Sequence, residues 1–179
     1  LSKNIVEDLS SKEPEWLKEH RINSYEKFKE LTIPSFRYGL SIILRPEDFE
    51  IESAEFVSSL KNPAEIKMNK INGVDVFEFS DNYDEVKRYM NKLVRFDKDK
   101  FSSFHNAFFN KGLVIRIPKN TEVEEPLILE RNINERYSFE YIIIIAEPSS
   151  SIKIVDNSSS SKNKIFRSKI VELFLAENS

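Results

Sequence analysis

A chain of 179 residues and 21.0 kDa has room for one ordinary domain or two small ones, and at 40% hydrophobic and 32% charged it has a globular composition. Lys and Arg number 27 against 30 Asp and Glu, a net charge of −3, so no basic excess draws the chain toward phosphate backbones. With no cysteine, this sequence excludes disulfides, thiol nucleophiles and thiolate-held zinc or iron–sulfur centres of its own, and two histidines are few for a His-based metal site.

The first element is a helix over residues 16–31. Pro14 suits its first turn, Ser10 or Ser11 can cap it, and Leu17, Tyr25, Phe28 and Leu31 fall on one face before Pro34 ends it. Between residues 33 and 72, Ser41-Ile-Ile-Leu44 and Asp48-Phe-Glu-Ile-Glu52 have the length of short strands or irregular segments. Asn72-Gly73, between apolar runs at 66–71 and 74–79, is a two-residue hairpin signal. Two more helices follow, one over 83–94 capped by Ser80 or Asp81 and one over 98–110 capped by Asp97. The second carries the stripe Phe101, Phe104, Phe108 and Phe109, whose spacing fits a core-facing side.

At Gly112 the period changes from 3.6 to 2. Strands are expected at 113–117, 127–133, 139–146, 152–155 and 164–175, separated by Pro, Ser and Asn corners, with residues 158–161 a solvated corner loop. Short strands without glycine-rich hairpins fit a solenoid or a sandwich, and no strict repeat period is visible. The charge balance does not separate the parts: residues 1–110 carry 17 basic and 20 acidic side chains, residues 111–179 ten of each.

Chemistry is sparse. Glu124-Glu125 is an adjacent carboxylate pair, but neighbouring strand residues point to opposite faces, so the two serve as surface charge. His105 sits in the aromatic helix without a partner at fixed spacing, which makes it a hydrogen-bonded core histidine, and His20 lies on a charged helix as a half-exposed one. Trp16 is a packing anchor. There is no phosphate loop, dinucleotide fingerprint or Gly-x-Ser-x-Gly. The residues therefore assign no catalytic, cofactor-binding or metal-binding role and indicate no enzyme. Neither a secretory leader nor an apolar run of the roughly 18 residues that span a membrane is present, so the cytoplasm is the expected address.

Four segments resemble the SufB/SufD family of iron–sulfur cluster assembly proteins. Ser11-Lys-Glu-Pro-Glu-Trp-Leu-Lys-Glu-His-Arg21 with Tyr25-Glu-Lys-Phe28, leading to Leu31-Thr-Ile-Pro34, is similar to the family's N-terminal helix. Val86-Lys-Arg-Tyr-Met-Asn-Lys-Leu93 is similar to the helix before its core. The most specific passage is Lys100-Phe-Ser-Ser-Phe-His-Asn-Ala-Phe-Phe-Asn-Lys-Gly112, running into Val114-Ile-Arg-Ile-Pro-Lys119 and Val123-Glu-Glu-Pro-Leu127. Lys169-Ile-Val-Glu-Leu-Phe-Leu-Ala-Glu-Asn178 is similar to a later coil, and Phe36-Arg37-Tyr38 tilts the likeness slightly toward SufD.

The resemblance implies an α+β fold: a mainly helical N-terminal region, residues 1–110, followed over 111–179 by the first coils of a right-handed parallel β-helix. It settles solenoid over sandwich. The expected inward row is Ile115, Ile117, Leu127, Leu129, Ile143, Ile145, Ile152 and Ile154 or their neighbours, with helices packed through Trp16, Phe28, Phe101 and Phe104. Family members are more than twice this length, so Leu1 and Ser179 are expected to be the ends of a fragment and the solenoid to be truncated. The implied function is that of a noncatalytic scaffold component of the SUF system. Its implied partners are a SufB/SufD-type paralogue and a SufC-type ABC ATPase, with neither nucleic acid nor membrane. The iron–sulfur cluster belongs to the intact complex and no cofactor to this segment. The family's distal Cys and His sites match no position here. A β-helix enzyme acting on acidic polysaccharide, or a stand-alone interaction module, is the alternative.

Overall fold

The computed structural model describes residues 3–33, 50, 53–161 and 164–179; the segments expected at 41–44 and 48–52 and the Phe36-Arg37-Tyr38 motif lie outside the described residues apart from Glu50. Among the described residues five α-helices precede or flank the sheets: α1 (Lys3–Leu9), α2 (Glu15–Glu30), α3 (Ala54–Lys61), α4 (Tyr83–Tyr89) and α5 (Lys100–Phe108). Seven strands form two mixed sheets, and no closed barrel is present among the described residues. Strands β2 (Asp75–Glu78), β3 (Lys111–Ile117), β5 (Tyr137–Ala146) and β7 (Phe166–Leu175) make the first sheet in that order. The second runs β1 (Lys67–Met68), β4 (Leu127–Asn132) and β6 (Ile154–Ser159).

From β3 onward the chain alternates between the sheets, and β5, β6 and β7 each pair in parallel with the strand two before them. Lys111 stands opposite Glu140 and Tyr137 opposite Phe166, an offset of 29 residues in both pairings of the first sheet. The isolated bridge Glu122–Ser151 has the same offset, whereas Leu127 opposite Ile154 gives 27 in the second sheet. The sequence shows no such period because the repeat lies in backbone register and not in residue identity.

Strand β5 is buried along both faces, which is why Tyr141-Ile-Ile-Ile-Ile-Ala146 reads as a continuous apolar run. Tyr137, Phe139, Tyr141, Ile143 and Ile145 face the helices, where they join Phe28, Phe56, Phe104 and Phe108 in one core. Ile142, Ile144 and Ala146 face the second sheet with Leu113, Ile115, Ile117, Leu127 and Leu129. Ile143 and Ile145 are therefore not in the inward row. With a period of 2, a one-residue slip in parity exchanges the faces, and an all-apolar run carries no parity signal. The rest of the expected row holds: Ile152 and Ile154 pack against the second core. Of the helix anchors, Phe28 and Phe104 are buried and Trp16 is partly buried, while Phe101 is only half-buried.

Other differences are local. Val74 to Phe79 does not fold back on 66–71: β1 pairs with β4 and β2 with β3, both antiparallel, so the Asn72-Gly73 turn, with Gly73 at φ +80°, hands the chain from one sheet to the other instead of closing a hairpin. Asn82 caps α4 by accepting from Glu85 N, and Asp81 instead accepts from Glu78 N. Asp99, two residues after the expected Asp97, caps α5 through Phe101 N and Ser102 N at 2.9 Å. Ser158 and Ser159 extend β6 and are not a corner loop.

Gly112 is set by packing. A Cβ built there would sit 2.3 Å from the Phe79 ring, which fills the space above β3. Gly112→Ala is expected to lower unfolding free energy by about 1–3 kcal/mol in denaturant titrations. Pairing it with Phe79→Leu should cost less than the two single changes added together, and strict additivity would contradict the clash.

Candidate functional site

The residues that carry the family resemblance act first on the fold. Arg21, 2% exposed, donates from Nε and Nη2 to the two carboxylate oxygens of Glu13 at 2.6 and 2.7 Å. Its Nη1 donates to the Phe109 carbonyl at 2.8 Å and to that of Ala107 at 3.3 Å, and the guanidinium lies 3.8 Å from the Phe109 ring centroid. The Glu-Pro-Glu-Trp motif and the Arg that follows thus close onto each other and onto the C-terminal end of α5. Asn110 continues the seam: its amide donates to the Ser59 and Leu60 carbonyls at the end of α3, and its backbone pairs with Phe139 of β5.

Glu172 on β7 is fully buried and accepts four hydrogen bonds. Leu93 N and Val94 N donate to Oε1 at 2.6 and 2.9 Å, and Asn91 N and the Tyr141 hydroxyl donate to Oε2 at 2.8 and 2.7 Å. Burial, together with the Glu172 charge, holds the Tyr141 hydroxyl far above the usual tyrosine pKa. The arrangement pins the stretch after α4 to the sheet and leaves no free proton-transfer group.

A second buried polar cluster occupies one end of the space between the sheets, where the inward rows turn from apolar to charged. Arg131 of β4 has no exposed side-chain surface, and its Nε lies 3.1 Å from Glu140 Oε2 of β5. Arg167 of β7 reaches the same carboxylate from 3.2 Å, and Asp156 of β6 pairs with both Arg131 and Lys169. Three cations thus meet two carboxylates. Burial works against the Asp156 carboxylate, but the hydrogen bond from Lys169 and the charge of Arg131 outweigh it and hold its pKa below the usual range. Arg131 Nη2 and Arg167 Nε have no hydrogen-bond partner among the described residues. A polar cavity of about 840 Å³ opens at this end, lined by Asn132, Asn134, Asn157, Ser158 and the 62–65 loop. The cluster offers charge and hydrogen-bond donors but no nucleophile. Alternation hid it, since Arg131, Glu140, Asp156 and the Arg167/Lys169 pair lie on four different strands of two sheets and meet only once those strands are stacked in register.

The side chains singled out from sequence stay apart. Glu124 and Glu125 are both exposed. His20 Nε2 lies 3.0 Å from Asn106 Oδ1 and 3.1 Å from Asn91 Nδ2, with burial lowering its pKa. His105 is 1% exposed, shares a 2.7 Å hydrogen bond between Nδ1 and Ser168 Oγ, and packs on Phe109 and Tyr141. Among the described residues no group of three or more His, Asp or Glu is placed to hold a metal ion, and no helix is long and apolar enough to cross a membrane.

Burial, reinforced by the Arg21 charge, pushes the His105 pKa from 6.5 down to about 3. Below pH 6.5 the unfolded chain binds a proton here that the folded chain refuses, so stability falls with pH across the window from 6.5 to about 3. The limiting slope is roughly 1.4 kcal/mol per pH unit. His105→Gln is expected to flatten the pH dependence of unfolding free energy in that window, and equal slopes in the two proteins would contradict it.

No family model matches the chain. Over 79 residues, 43% of this chain, it is 33% identical to the iron-sulfur cluster assembly protein SufD of Bacillus subtilis, of which the match covers 18%. An alignment of 201 residues, covering 87% of this chain, gives 24% identity to an iron-sulfur cluster assembly SufBD family protein of Staphylococcus saprophyticus and spans 43% of that protein. The chain thus spans less than half the length of these relatives. Both similarities support the SufB/SufD family, at low identity.

Proposed function

We propose that this chain serves iron–sulfur cluster assembly as a noncatalytic part of a SufB/SufD-type scaffold, nearer SufD than SufB. The observation that carries the proposal is the pair of relatives, both named for iron–sulfur cluster assembly. The fold supports it: helices sealed by Arg21 and Asn110 onto parallel strands that repeat at 27 and 29 residues have the arrangement that the first coils of a right-handed parallel β-helix require. The chain's contribution is then to begin that solenoid and cover its side with helices. The partners proposed are a SufB/SufD-type paralogue and a SufC-type ABC ATPase, in the cytoplasm, with the cluster as cargo of the complex and not a group held by these residues.

The test is a native pull-down from source cells with an antibody raised against this chain, read by intact mass and by the proteins that co-purify. A bait of more than twice 21.0 kDa bound to an ABC-type ATPase is the expected result. A bait near 21.0 kDa without such an ATPase would overturn the proposal.

A further inference from the structure

The stretch from α4 to α5 departs from the charge balance of the rest of the chain. Residues 87–98 hold five Lys or Arg against one Asp, while the remainder carries 22 basic and 29 acidic side chains. Lys87, Arg88, Lys92, Arg95 and Lys98 are all exposed. The two arginine side chains are 73% and 74% accessible although Arg88 touches Glu85 and Arg95 forks onto Asp97.

In the middle of this ridge stands an apolar side chain that the fold does not use. Met90 is buried, Tyr89 and Val94 pack against the helix-side core, and Phe96 sits edge-on to His20 at 5.0 Å. Leu93, between them, is 58% exposed. Its position is fixed from below. Asn91, at φ +61°, turns the chain, and Glu172 holds the amides of residues 91, 93 and 94 from beneath. A loop tied to a buried carboxylate loses little conformational freedom on binding, so a contact made by Leu93 keeps most of its free energy.

We propose that residues 87–98 form a docking ridge for an acidic segment of a partner protein, with Leu93 packing against an apolar side chain of that segment. The five exposed basic side chains attract and orient an acidic segment, and Leu93 among them is dehydrated on contact. Single-stranded nucleic acid stacks on exposed aromatic faces, whereas Tyr89 and Phe96 are packed into the fold here, and a membrane surface is held by several apolar side chains, not one.

The test titrates a fluorescein-labelled peptide of Asp, Glu and Leu with the full chain and follows anisotropy at rising salt. Saturable binding that weakens with salt is expected, together with a loss of about tenfold for Leu93→Ser and a similar loss for Lys92→Glu combined with Lys98→Glu. Thermal unfolding of both variants should match the parent, since these side chains are exposed. Failure to bind, binding that survives both variants, or preference for phosphatidylglycerol vesicles or single-stranded DNA over the peptide would each overturn the proposal.

Discussion

The guanidinium of Arg21 is the point on which the helical layer and the sheets are locked together. A buried cation is costly unless its donors are met, and here a bidentate carboxylate, two backbone carbonyls and an aromatic face meet them. Those partners come from the segment before α2 and from the end of α5, so the ion pair fixes where β3 begins. The register of β5 and β7 is then inherited from β3 through parallel pairing.

Glu172 plays the complementary part from the sheet side. It satisfies backbone amides of a stretch that has no regular secondary structure of its own, using a carboxylate where helix or strand would use carbonyls. Truncating either Arg21 or Glu172 would strand several polar groups at once, a larger penalty than the loss of any single contact. The Glu-Pro-Glu-Trp…Arg and Ile-Val-Glu-Leu motifs thus each contribute a buried polar side chain that joins separate elements of the fold.

The order of helices and then strands is legible in the sequence because apolar spacing changes period near Gly112, and all five strands from there on begin within two residues of their expected starts. What was illegible has specific causes. The first helix, α1, is a short polar-rich element that buries Val6, and α3 follows a stretch with no clear period. The isoleucine run hides its own parity, so Ile143 and Ile145 exchanged faces with Ile142 and Ile144. The hairpin signal at Asn72-Gly73 marked a real turn, but turn chemistry says where the chain bends and not which strands then pair. The cluster of Arg131, Glu140 and Asp156 required knowledge of register, which no local pattern supplies.

The 29-residue spacing of the parallel pairs has a consequence for how the protein forms. Parallel sheets are ordinarily slow to fold because distant segments must find each other against loop-closure entropy. Here β5 seeks a neighbour only 29 residues behind it, and β7 does the same. Each strand therefore closes a loop of modest length onto its neighbour, so the entropic cost of parallel pairing is met in small, similar steps along the chain and not in one long closure.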